Sequence, residues 1–280
     1  MSTLSAEAMF AVSLALKIAM TVSIVVAASV VVERSGPFVG AMIASLPTAG
    51  GAAMIILALE HSPAFIAESV IGSIVANAVC CVFALSYAVL AQRHGWLVSL
   101  AAAYLVWLAG VTLARLVEWN LSGALALSVG LFTATIVAGR RFRTDTATVR
   151  VKTTAADIAW RAGVVTLCVI VVTTASHWIG SFASGAFAFF PVAMGSFFLI
   201  LHTRVGGRQA ASVAAYVQAP LIGLSLGFVA VHYLAEPLGV WWSYLIVLAI
   251  GVAWNALLWI ARRNFQRIVI PAERSESRNP

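Results

Sequence analysis

Long apolar runs separated by short polar joints fill almost the whole chain. A bilayer core about 30 Å thick needs roughly 20 mostly apolar residues for each helical crossing. Divided by that length, the chain yields about nine segments, at 9–32, 38–58, 65–91, 96–114, 120–138, 158–178, 184–203, 209–234 and 240–261. The expected fold is therefore all-α, a polytopic transmembrane helical bundle. The first run is longer than a signal-peptide core and its leader MSTLSAEA carries no basic residue, so it reads as a retained first helix. The terminal stretch AERSESRNP reads as a disordered tail.

Charge orients this array. Arg34, Arg93, the cluster Arg140, Arg141, Arg143, Arg150 and Lys152, then Arg204 and Arg208, and finally Arg262, Arg263, Arg267, Arg274 and Arg278 fall on one side of the nine crossings. The other side carries Glu60, Glu68, Glu118 and Glu236, with Arg115 alone among basic residues. Cytoplasmic loops hold the positive excess, so the expectation is an N-terminus outside and a C-terminus inside a bacterial inner membrane. Trp96, Trp119, Trp160, Trp178, Trp241 and Trp242 fall near the expected interfaces, as an aromatic belt requires.

Composition agrees: 62% of residues are hydrophobic and 10% charged, too few charges to clothe a soluble fold. The net charge of +7 follows from the positive-inside bias and implies no nucleic-acid partner. Cys80, Cys81 and Cys168 lie within apolar runs and form neither a disulfide framework nor a metal motif.

Compared with itself, the chain repeats. GPFVGAMIASLPTAGGAAMIIL from Gly36 lies over GSFASGAFAFFPVAMGSFFLIL from Gly180, matching Gly36 with Gly180, Pro47 with Pro191 and Gly51 with Gly195 at an offset of 191 − 47 = 144. The same offset places Lys17 on Arg161, Gly95 on Gly239 and Ser99 on Ser243, while Ser69 meets Ser212 after a one-residue slip. An odd number of crossings separates the copies, so they enter the membrane from opposite sides. The expected plan is 4+1+4: residues 1–118 and 158–262 as four-helix repeats, 119–139 as the linking helix, 140–157 as a basic loop and 263–280 as the tail. The basic residue at Lys17, the glycine-bearing apolar stretch, Pro47 and the following ALEHSPAFIAESVIG segment resemble the GlpM-type family of short bacterial membrane proteins. Arg161 and Pro191 repeat that spacing. The resemblance implies two such units fused antiparallel, and it implies little about activity.

Inverted repeats are a recurring plan of secondary transporters, whose sites lie near the midplane where Gly/Pro-interrupted helices expose backbone groups. SLPTAGG and FPVAMGS are such interruptions, because proline lacks the N–H and glycine tolerates unwinding. The candidate substrate-binding set is Lys17, Ser45, Pro47, Thr48, Gly50, Gly51, Asn77, Arg161, Pro191, Gly195, Ser196 and Gln218. A simple proline kink is the plain alternative, and for Lys17 and Arg161 it is snorkelling to the interface. If instead those two cations face the pathway, the solute is anionic. Ser73, Ser86, Tyr216 and His232 add polarity to the third and eighth helices, where interhelical hydrogen bonding is the ordinary role. No Asp or Glu lies mid-helix, and no HExxH, GxSxG, Walker or GxGxxG motif occurs, so no enzyme, metal or cofactor is expected. Membrane lipids and a small-molecule solute are the expected partners, with a homo-oligomer left open. A scaffold or accessory subunit of an envelope polysaccharide system, and a lipid flippase, are the competing readings.

Overall fold

The structure, a computed structural model, describes residues 48–143 and 154–276, with short helical pieces at 15, 18–23 and 26–27. Eight α-helices lie among the described residues: α1 Thr48–Glu60, α2 Pro63–Leu90, α3 Trp96–Ala114, α4 Leu121–Gly139, α5 Ala155–Ala188, α6 Val192–Val205, α7 Gly207–Leu238 and α8 Val240–Glu276. A short 3₁₀ turn, Arg140–Phe142, closes α4. No strand occurs among the described residues. Six helical stretches are long and apolar enough to cross a membrane, and Gly50–Glu60 is a shorter apolar helix beside them. The molecule is a multi-pass helical membrane protein.

The expectation of nine helices is corrected in its cut. The expected first span, 9–32, falls mostly outside the described residues, as do Lys17, Ser45 and Pro47. The expected spans 158–178 and 184–203 meet at the Gly180 break, but the second of them is not one helix, because the chain breaks again at Phe189–Pro191. Gly180 adopts φ 79°, ψ 172°, a backbone open to glycine and strained for other residues, and interrupts α5. Pro191 then stands at the start of α6, with Phe189 and Phe190 outside the helix. Residues 155–205 run for 51 residues, roughly 76 Å if straight. That length fits two passes folded back at Gly180, the second of them interrupted at Phe189–Pro191.

Local chemistry sets the remaining ends. Ser62 caps α2 by accepting from Phe65 N–H, with Pro63 just inside the helix where its missing N–H costs nothing. Asn120 accepts from Gly123 N–H (2.8 Å) to open α4. Thr154 and Asp157 form a reciprocal capping box at α5.

Helix starts recur at a fixed interval: 207 − 63 and 240 − 96 each give 144. Ser99 Oγ–H donates to Gly95 O (3.0 Å) at the start of α3, and Ser243 Oγ–H makes the same bond to Gly239 O (2.9 Å) at the start of α8. α2 and α7 are the most buried of the long helices and pack against each other at the centre of the bundle. Asn77 Nδ2 of α2 donates to Leu221 O of α7 (2.8 Å), a residue 144 positions away, and to Ser225 Oγ (2.8 Å). Small residues make close packing of α2 on the 181–188 segment affordable. A Cβ on Gly72 would sit 2.0 Å from Phe182 O, and one on Gly185 would sit 1.7 Å from Ser69 O. α3, α4 and α8 expose Leu105, Val129, Leu248 and other large apolar side chains that suit contact with lipid.

Candidate functional site

The interruption at Phe189–Pro191 is held from three sides. A transmembrane helix that stops inside the bundle frees backbone groups that lipid cannot satisfy. Here Tyr104 Oη–H of α3 donates to Pro191 O (3.3 Å), and Cys80 Sγ of α2 lies 3.6 Å from Phe189 O. Gly195 leaves room for this, since a Cβ there would come within 1.8 Å of the Tyr104 hydroxyl. Aromatic rings wrap the same segment. Phe190 stacks on Tyr104 (5.2 Å between centroids) and meets Trp107 edge-on (5.1 Å), while Phe189 meets Phe228 (4.8 Å).

Arg161 reaches this region from α5. It lies six residues after Ala155, which puts its Cα about 9 Å along the helix. Its Nε–H donates to Ser196 Oγ (3.1 Å), whose own hydroxyl donates to Ala193 O (2.9 Å). One turn nearer the helix start, Asp157 pairs with Arg204 and ties α5 to the end of α6. The sequence-predicted residues Arg161, Pro191, Gly195 and Ser196 are thus brought together around the first turns of α6.

α1 meets the same interruption. Gly50, buried in the opening turn of α1, faces Phe189, whose ring atoms would lie 2.7–3.0 Å from a Cβ at that position. Gly51 has nothing within 4 Å on its Cβ side. Thr48 opens α1, immediately after Pro47 in sequence.

Asn77 and Gln218 form a separate polar region. Asn77 bonds to Leu221 and Ser225 rather than to the Arg161–Ser196 pair. Gln218, 0% exposed on α7, packs against Gly139 of α4, and neither amide atom finds a hydrogen-bond partner among the described residues. Sequence reasoning missed Tyr104, which carried no mark beyond a hydroxyl in an apolar run. It also treated Cys80 as mere core filling, and Cys80 is buried as expected but reaches a freed carbonyl as well.

These features define a helical membrane protein in which one pass is interrupted at Phe189–Pro191 and Arg161, near one end of α5, reaches the start of the helix that follows. No protein-family model, curated protein or solved structure matches the chain. Among the described residues no group of three or more His, Cys, Asp or Glu could hold a metal ion.

Proposed function

We propose that this protein is a secondary-type transporter of a small anionic solute, built from two inverted four-helix units joined by α4, with its site between the two interrupted helices. The observation that carries the reading is the guanidinium of Arg161 held by Ser196 beside the first turns of α6. A helix N-terminus bears roughly half a positive charge, so an anion placed there would meet the helix dipole and the guanidinium together. The indole-, phenol- and phenyl-lined surroundings exclude water and strengthen that attraction. The constant interval of 144 between helix starts and the Gly50–Phe189 contact support the paired arrangement, in which α6 opens after Pro191 and Pro47 stands at the equivalent place in the sequence. Lys17, the sequence equivalent of Arg161, is the second cation of the proposed pathway. The GlpM-type likeness of the repeated motif belongs to the same reading. The arginine distribution supports a bacterial inner membrane with the N-terminus outside and the C-terminus inside.

Flux from proteoliposomes loaded with pooled small anions tests this reading. Arg161→Gln is expected to lower flux at least tenfold, the size of losing a charge-assisted contact, while membrane insertion is retained. Arg161→Lys is expected to be milder, keeping the charge and losing the planar fork. Unchanged flux in a Lys17→Gln, Arg161→Gln double variant would overturn the anionic pathway, and a stable partner recovered with a flux-silent protein would favour the scaffold.

A further inference from the structure

Where α4 ends against α7, a second set of polar groups lacks what it is built to bind. Arg143 follows the 3₁₀ turn and folds back onto α7, its guanidinium 5.4 Å from the Tyr216 ring centroid and its Nη2 3.4 Å from Ala215 O, a long bond. Its Nε is buried and has no hydrogen-bond partner. Burial disfavours its charge, and among the described residues the charged and phenolic groups that act on it are Tyr216 and Arg140, with no carboxylate. One turn deeper on the same face of α7, Gln218 carries an amide with no partner on either atom and 0% exposure. Gly139, four residues before Arg143, faces that amide at 3.4 Å from a would-be Cβ. Arg143 on Ala215 O and Gln218 beside Gly139 and Ala215 thus meet the α4–α7 interface at neighbouring levels. Orphaned buried polar groups are rare in native structures, and two in one interface are unlike ordinary packing.

We infer that this α4–α7 interface is an oxyanion-binding site in which the Nε/Nη2 edge of Arg143 takes a carboxylate or phosphate group and the Gln218 amide takes a further polar group of the same ligand. The Nε/Nη2 edge presents two parallel N–H groups, which match the two oxygens of such an anion. Gln218 lies wholly inside the bundle, so the ligand is small, or is the headgroup of one lipid whose phosphate reaches Arg143. The exposed neighbours Arg140 and Arg141 attract anions to the entrance. The site stands apart from the Arg161–Ser196 region and does not rest on transport.

Thermal unfolding of the purified protein tests it, with acetate, succinate and inorganic phosphate as soluble probes, and with phosphatidylglycerol in phosphatidylcholine bilayers as the lipid probe. A bound anion raises the midpoint by mass action. Gln218→Met and Arg143→Lys are each expected to weaken the effective anion at least roughly tenfold, whereas Arg141→Gln retains it. Should Gln218→Met fail to fold, Arg143→Lys decides alone. A shift from soluble anions that both variants lose assigns a free solute; a shift from phosphatidylglycerol alone, again lost in both, assigns a lipid headgroup. No anion-dependent shift, or one that both variants keep, overturns the site and leaves the orphaned groups to water.

Discussion

Single atoms decide the closest contacts in this protein. Gly185 and Gly72 let two backbones approach to where any side chain would strike a carbonyl, and a carbonyl within a helix cannot move aside as a flexible side chain can. Gly185→Ala is therefore expected to lower stability by about 1–3 kcal/mol, measured as a fall in unfolding midpoint in a mild detergent. Gly163→Ala is the contrast, because nothing lies within 4 Å of its Cβ position, and it is expected to be neutral or slightly stabilising. Glycine in the sequence marked the interruptions well, since Gly180, Pro191 and Gly195 all stand at or beside a break. It could not mark the Gly72–Gly185 crossing, because close approach depends on which helices become neighbours, and apolar runs of similar composition do not encode their pairing.

At the scale of elements, the joint between α1 and the outer end of α5 is titratable. Ser176 Oγ–H donates to Thr173 O (2.6 Å), so its lone pair accepts from His61 Nε2–H (2.7 Å), and Nδ1 is the atom of His61 left to take a proton. His61 also stacks on Phe65 (3.9 Å) and lies 4.7 Å from the His177 ring. Burial first, then His177, hold its pKa below the usual 6.5, against an opposing pull from Glu60. The neutral form is thus favoured by the fold. Its contribution is present above pH about 6.5 and is lost as pH falls below that value. The unfolding midpoint is expected to drop on acidification across this window, and His61→Gln is expected to flatten the drop. An equal drop in the variant would assign the effect elsewhere. Element boundaries were well read from the chain where caps or glycine announced them. Segments expected at 65–91, 96–114, 120–138 and 240–261 overlie α2, α3, α4 and the membrane-crossing part of α8. The joint expected between 158–178 and 184–203 falls at Gly180, and the second of these spans is interrupted at Phe189–Pro191, where Pro191 marked the break in the sequence.

Across the whole molecule, the proposed orientation makes a simple demand. A reporter active only in the periplasm should be silent when fused within the basic 140–152 region or at the C-terminal tail, and active after Glu118. Activity at the tail would reverse the proposed topology. The bundle class was readable from apolar run length alone, and the 144-residue interval from a few Gly, Pro and Ser matches. The separation of Gln218 from the Arg161–Ser196 region was not readable, because Gln218 faces Gly139 of α4, a residue that belongs to no repeated motif.

The Asn77–Leu221 contact joins α2 to α7 at residues 144 positions apart, the interval between the starts of those two helices, which is where the axis of the proposed two-fold arrangement would pass. A polar side chain on such an axis can satisfy only one of the two halves at a time. Asn77 donates to the second half, and Leu221 has nothing to return to the first. In the proposed carrier, the two end states are therefore unequal in energy, and one is the resting state whatever the solute gradient. Moving the amide across the axis, as Asn77→Leu with Leu221→Asn, is expected to exchange which face of the empty protein is open to a thiol probe at its mouth. An unchanged labelling pattern would mean that the preference for one side is written elsewhere in the chain.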